Sequence, residues 1–261
     1  MTDKSIGAII GDIVGSIYEF DNIKTKDFQL FSDRNEFTDD SIMTIATMQA
    51  LLHGGTAKDF ITNYQYFGNK YPSSYGLRFG DWLAASDPKP YNSWGNGSAM
   101  RVSPVAWFYD NLSDVEEAAK TSASVTHNHP EGIKGAQATA AAIFMARTGK
   151  SKQQIKSYLE IKYEYILDFT LDDIRSGYGF DESCAGTVPP AIVAYLEGKD
   201  FEDAIRNAIS IGGDSDTLAA ITGSIAEASY GVPDTIANKA FVYLSDELSS
   251  IIKQFQIQIE Y

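Results

Sequence analysis

Residues 7–15 read GAIIGDIVG, with Gly7, Gly11 and Gly15 at every fourth position. In a helix these three fall on one face. A soluble chain that strips side chains from one helical face is built for close helix packing at that face. The rest of the sequence agrees with a helical fold. Leu218, Ile221 and Ile225 share one face of a segment that Gly231 and Pro233 end. Residues 41–52, SIMTIATMQALL, followed by Gly54 and Gly55, read as a buried helix, and so does the alanine-rich stretch 135–147, stopped by Gly149. Capping-box pairs mark four helix starts: Thr56 with Asp59, Ser113 with Glu116, Ser151 with Gln154, and Thr170 with Asp173. Strand patterns are few; QIQIEY at 256–261 alternates but is short. No linker or fixed-period repeat interrupts the chain. The expectation is an all-α fold in one domain, residues 1–261.

Bulk properties narrow the function classes. The 261 residues are 44% hydrophobic, enough to bury a core. No run approaches 18 apolar residues, so a membrane-spanning helix is not expected. The N-terminus, with one lysine and an apolar stretch broken by Asp12, makes a poor signal peptide. A single cysteine, Cys184, has no internal disulfide partner, which fits a reducing cytoplasm. A formal net charge of −14 repels a phosphate backbone, so extended nucleic-acid binding is disfavoured.

Two acidic clusters carry the chemistry. One is FTDDSIM at 37–43, with Thr38, Asp39 and Asp40; the other is GGDSDT at 212–217, with Asp214, Asp216 and Thr217. Both stand at expected helix N-termini, where a carboxylate gains from the helix dipole and can cap backbone amides. Capping needs one acid per helix, however, not paired acids and a threonine twice. Four carboxylates and two hydroxyls form a hard oxygen set, suited to Mg²⁺, Mn²⁺ or Ca²⁺ and not to zinc. Other motifs fail on inspection. An EF-hand counted from Asp214 meets Ile225 where a bidentate glutamate is required. GNGSAM at 95–100 lacks the third glycine of a dinucleotide fingerprint and follows no clear strand. HNH at 127–129 lies in helix-like sequence of a strongly acidic chain, against a nuclease.

Taken together, GDIVGSIYEF (11–20), FTDDSIM (37–43), GNGSAMRVSP (95–104), THNHPEG (126–132) and IGGDSDTLAAITGSIAEASYG (211–231) resemble the signature blocks of the ADP-ribosylglycohydrolase family. The blocks span roughly residues 6–231 and occur in that family's order. The resemblance implies a compact orthogonal helical bundle with a dinuclear metal cleft. It implies two Mg²⁺ ions, with Mn²⁺ as the alternative, held by Thr38, Asp39, Asp40, Asp214, Asp216 and Thr217. It implies hydrolysis of the bond between ADP-ribose and an acceptor on a protein or small molecule. Glu19 matches the family's glutamate after the GD-x-x-G block and is the leading catalytic residue, with Asp39 sharing the water-activating role. Gly95, Asn96, Gly97 and Ser98 match a phosphate-binding loop, and His127 a histidine lining the ADP-ribose cleft. Asp12 is expected to be structural, bonding under the metal site, and Arg101 to form a buried salt bridge beneath the loop. Ser41 stands where the family often has threonine. The intact TDD and GGDSDT blocks argue against the family's non-enzymatic, crystallin-like branch.

The acceptor is expected near the irregular region 68–98. There Asp81 and Asp87 could meet a guanidinium, and Tyr75, Tyr91 and Trp94 could stack on it or on adenine. ADP-ribosyl-arginine on protein is the expected substrate, ahead of serine-linked, O-acetyl- or poly-ADP-ribose. A non-catalytic ADP-ribose reader and a two-metal phosphohydrolase that releases AMP are the competing classes.

Overall fold

The structure, a computed structural model, describes residues 4–260. Their fifteen α-helices are α1 (Gly7–Gly15), α2 (Asp39–Leu52), α3 (Ala57–Lys70), α4 (Leu77–Ala84), α5 (Gly97–Met100), α6 (Ser103–Phe108), α7 (Leu112–Ser124), α8 (Pro130–Arg147), α9 (Lys152–Tyr163), α10 (Leu171–Arg175), α11 (Cys184–Glu197), α12 (Phe201–Ile209), α13 (Ser215–Tyr230), α14 (Asp234–Phe241) and α15 (Asp246–Glu260). No sheet forms among the described residues; Gly95 and Ser183 make one isolated antiparallel bridge. Among the described residues, no helix is long and apolar enough to cross a membrane.

The bundle is organised around α13, which is buried from Ser215 to Glu227 and packs against α1, α8, α11 and α12. The three glycines of α1 meet it. A Cβ at Gly7 would sit 2.3 Å from the Gly223 carbonyl oxygen, one at Gly11 2.0 Å from the Ala219 carbonyl oxygen, and one at Gly15 2.5 Å from Asp216 Cα. The two helices therefore run antiparallel with their backbones in contact. At the far end, the Glu227 carboxylate accepts the Ile6 and Gly7 amides at 3.0 and 2.9 Å, which caps α1 from a helix it packs on. At the near end, α1 runs into a 3₁₀ turn, Ser16–Tyr18, that delivers Glu19 beside the N-terminus of α13.

Asp12 ties α1 to α2. Fully buried, its carboxylate accepts the Thr38 amide at 2.9 Å, the Thr38 hydroxyl at 2.7 Å, the Ser41 amide at 3.0 Å and the Ser41 hydroxyl. That is the structural role expected for it.

Three expected capping boxes form, at Thr56–Asp59, Ser151–Gln154 and Thr170–Asp173. The fourth does not. Asn111 caps α7 by accepting the Asp114 amide, and Glu116 points inward to the Tyr158 and Tyr163 hydroxyls (2.7 and 2.6 Å) and Lys162. A buried glutamate with two phenol donors and an ammonium is better satisfied there than at a frayed helix start. The alternating C-terminal stretch is helical through Glu260, and Tyr261 lies outside the described residues. Leu248, Ile251, Ile252 and Phe255 are all buried at i, i+3, i+4 and i+7, so the helical period outweighs the short alternation. The irregular region 68–98 contains α4, which buries Trp82 and Leu83.

If backbone contact between α1 and α13 sets the bundle, Gly11→Ala should cost about 1–3 kcal/mol, read as a lower urea midpoint. Gly80→Ala in α4, where an added Cβ meets nothing within 4 Å, should be neutral or slightly stabilising. Equal midpoints for Gly11→Ala and the parent chain would contradict the packing argument.

Candidate metal centre and cleft

Capping fails to explain the acids, because the caps are made by other groups. Thr38 caps α2 by accepting the Asp40 amide. Asp214 occupies the N-cap position of α13 without making a side-chain cap bond. Its Oδ2 instead accepts from Asn96 Nδ2 at 2.6 Å. Gly212 and Gly213, at φ +68° and +78°, provide the left-handed turn that brings the chain to that point.

The two clusters meet. Thr38 Oγ1 lies 3.4 Å from Asp216 Oδ2, and Thr217 Oγ1 lies 3.3 Å from Asp40 Oδ2. Carboxylate oxygens of Asp12, Asp40 and Asp216 all fall within 4.8 Å of one another, and so do those of Glu19, Asp214 and Asp216. Asp216 is common to both groups. With Asp39 at the edge, six carboxylates converge, and none of them enters an ion pair among the described residues. Asp40 Oδ1 is buried with no hydrogen-bond partner. Oxygen donors in two overlapping sets, one of them unsatisfied, fit a pair of hard divalent cations.

The electrostatics report the same crowding. Burial, reinforced by Asp214, Asp39 and Asp12, pushes Glu19 up to about 7. Burial, with Asp12 next in weight, pushes Asp39 up to about 6. Asp12 rises to about 6 through burial, against the four hydrogen bonds it accepts. Asp40 and Asp216 are raised well above the ordinary carboxylate range by burial and by their acidic neighbours.

Above the acids opens a cleft of about 500 Å³, within the ordinary range for a small-molecule site. Of the expected residues, Glu19, Asp39, Asp40, Asp214, Asp216, Thr217, Gly95, Asn96, Gly97 and His127 line it. Thr38 sits behind them, bonded to Asp12. Ser98 is buried with its hydroxyl on the Gly132 carbonyl at 2.7 Å, so its side chain faces away from the cleft. Asn96 spends its side-chain amide on Asp214 and on Thr187 Oγ1 at 3.0 Å.

His127 is buried, and its pKa lies well below the usual value, first through burial and then through Arg101, so the ring is neutral. Its Nδ1 is 2.7 Å from Thr126 Oγ1. Its Nε2 faces the glycine turn, only 3.2 Å from where a Cβ on Gly97 would lie.

Arg101 corrects an expectation. It has no acidic partner among the described residues. Its guanidinium stacks 4.2 Å above the Tyr64 ring, donates to Thr126 Oγ1 at 2.7 Å and Ser122 O at 3.2 Å, and reaches the cleft lining. The expected acceptor contacts are corrected too. Asp81 and Asp87 are exposed and outside the lining, Asp87 paired with Lys89, and Tyr75 turns its hydroxyl to the Tyr71 carbonyl. Tyr91 and Trp94 do line the cleft. Residues with no sequence signal join them, including Leu77, Arg78, Phe180 and Glu182.

The ADP-ribosylglycohydrolase family model matches residues 5–254. Human ADP-ribosylhydrolase ARH3 is 26% identical over 305 aligned residues, covering 87% of this chain and 84% of the relative. ADP-ribosylarginine hydrolase Tri1 of Pseudomonas putida (strain GB-1) is 27% identical over 267 aligned residues, covering 87% of this chain and 69% of that protein. A solved structure described as an ADP-ribosylglycohydrolase-related protein complex superposes with a TM-score of 0.69 over 98% of both chains at 22% identity, a likeness of fold. With a match that spans nearly its whole length, this chain belongs to the ADP-ribosylglycohydrolase family.

Proposed function

We propose that the protein is a metal-dependent hydrolase that cleaves the bond between the C1″ carbon of ADP-ribose and the guanidinium of a modified arginine. The observation that carries this reading is the pair of overlapping carboxylate groups sharing Asp216 on the floor of the cleft. Thr38, Asp39, Asp40, Asp214, Asp216 and Thr217 would hold two divalent cations, Mg²⁺ in the first instance. Bound there, the cations would cancel the cluster's charge, keep Glu19 ionised, orient the distal ribose hydroxyls and acidify the attacking water.

The chain's own residues do the rest. Glu19 lines the cleft beside Asp214 and Asp216 and accepts a proton of the water that attacks C1″ as the C1″–N bond breaks; the guanidinium departs with the bonding pair as neutral guanidine and regains a proton from Glu19 or solvent. Asp39, also in the lining, shares the proton-accepting role. The transition state is oxocarbenium-like, so nearby carboxylates stabilise the positive charge that develops on the sugar. The Gly95–Gly97 turn and His127 face the diphosphate; the neutral ring is no counter-ion, and with Nδ1 accepting from Thr126 Oγ1 its Nε2–H donates toward the cleft. Tyr91 and Trp94 offer faces for adenine. Glu182, in the lining, takes over from Asp81 and Asp87 as the carboxylate available to an arginine acceptor. The resemblance to the Pseudomonas arginine-directed hydrolase favours this acceptor.

The direct test is hydrolysis of arginine-ADP-ribosylated protein with Mg²⁺ and with EDTA, read by mass. Free ADP-ribose released only with metal is the expected result. Release of AMP would overturn the reaction, and turnover confined to serine-linked or O-acetyl substrates would overturn the acceptor.

Glu19→Gln should lower kcat by about 10²-fold or more while ADP-ribose still binds, measured by calorimetry. Undiminished turnover would remove Glu19 from the chemistry.

The raised carboxylates also set a pH dependence. The folded, metal-free chain retains protons on Glu19, Asp39 and Asp12 that the unfolded chain has released, so its stability falls as pH rises toward about 7. Carboxylates held low elsewhere, such as Glu116, have finished titrating below this window, and the buried His127, held well below its ordinary value, works in the opposite direction but is outnumbered by the raised carboxylates. Without metal, Tm should be higher near about pH 5.5 than near about pH 7.5, and added Mg²⁺ or Mn²⁺ should raise it more at the upper pH. A metal-free Tm that climbs over this window would contradict the assignment.

A further inference from the structure

Asn22 follows the 3₁₀ turn, is exposed, and belongs to no motif, yet its side chain bonds only to backbone on both sides of the cleft floor. Its Nδ2 lies 2.6 Å from Tyr18 O, 3.0 Å from Glu19 O and 2.9 Å from Gly213 O. Its Oδ1 accepts the Gly213 amide at 2.7 Å. One carboxamide therefore brackets Gly213 from both polar sides of the residue while it satisfies the carbonyls at the end of the turn that carries Glu19. Gly213 sits at φ +78° and directly precedes Asp214. Gly212 and Gly213 both have left-handed backbone and no side chain to anchor them, so a fastening at Gly213 helps to define where the Asp214 carboxylate points. Asn96 holds that carboxylate directly, at 2.6 Å.

We infer that Asn22 is a positioning residue that locks the Glu19 turn and the Gly213–Asp214 turn in register, so that the proposed base and the proposed metal ligand move as one unit. The inference rests on the function proposed above for Glu19 and Asp214. A loop fastener without that role is the competing explanation, and the molecule provides its own control. Lys24, two residues on, ties the same loop to the chain just before Gly212 through the Ile211 carbonyl, and to Tyr178 through its carbonyl, but it hydrogen-bonds to neither Gly213 nor Glu19.

The test compares Asn22→Ala with Lys24→Met in the full chain. Asn22→Ala should lower kcat by about 10–100-fold and weaken Mn²⁺ binding by about tenfold or more, read by calorimetry without substrate, with KM for the ADP-ribosylated substrate unchanged. Lys24→Met should lower Tm and leave kcat unchanged. If Asn22→Ala folds poorly, Asn22→Ser, which keeps a short donor, serves the same comparison. Unchanged kcat and unchanged Mn²⁺ affinity in the folded Asn22 variant overturn the inference. An equal loss of kcat in both variants also overturns it, because any fastener of the loop would then do. If the parent chain turns over no ADP-ribosylated substrate, the proposed reaction fails, while Mn²⁺ affinity still decides whether Asn22 holds the Asp214 turn.

Discussion

The close contact of α1 with α13 is the constraint on which everything else depends. Helices normally pack with a layer of side chains between them, 8–10 Å from axis to axis. Here Gly7, Gly11 and Gly15 let backbone meet backbone. The last of these contacts, Gly15 on Asp216, lies inside the acidic cluster itself. A side chain at any of the three positions would push Glu19 and Asp12 away from Asp214 and Asp216. Asp12 carries the constraint to a third helix, because its four accepted hydrogen bonds place Thr38, and with it Asp39 and Asp40, at the same point. Three helix ends are thus fixed by short-range contacts, and the site is a consequence of how the bundle packs.

That arrangement works against the fold when no cation is present. Six carboxylates meet in a partly buried space without an ion pair among the described residues, and several are held above their ordinary titration range. Burying like charges is costly unless opposite charge or protons relieve it. The rigid packing beneath supplies what such a cluster needs to persist, since α13 is buried along most of its length and α1 along all of it. Rigidity of this kind also keeps ligands in place for chemistry, which a mobile loop would not.

Much of this was legible in the sequence because the signals are local. A glycine every fourth residue, a threonine followed by two aspartates at a helix start, and two glycines before Asp214 each state their geometry within a few residues. The helix ends at Gly54–Gly55, Gly149 and Gly231 were readable for the same reason: all four glycines have positive φ. What escaped depends on distant partners. Glu116 looked like a cap because Ser113 stands three residues before it, whereas its true partners are on α9. Arg101 was paired in expectation with an acid, but Tyr64, far away in sequence, offers its ring. Asp81 and Asp87 share a region with the cleft-lining Tyr91 and Trp94, and composition cannot say which residues of a loop turn inward. Asn22 is the extreme case, since an exposed asparagine between an aspartate and an isoleucine has no pattern, and the partner that gives it meaning, Gly213, is 191 residues away.

The central claim is that helix packing assembles a two-cation centre with Glu19 beside the sugar. Anomalous diffraction from crystals grown with Mn²⁺ and ADP-ribose tests it most directly. The account predicts two peaks about 3.5–4 Å apart, ligated by Asp40, Asp214 and Asp216, with the distal ribose over them and Glu19 within hydrogen-bond reach of C1″ or its water. Peaks elsewhere, or ADP-ribose bound with no cation between these carboxylates, would contradict it.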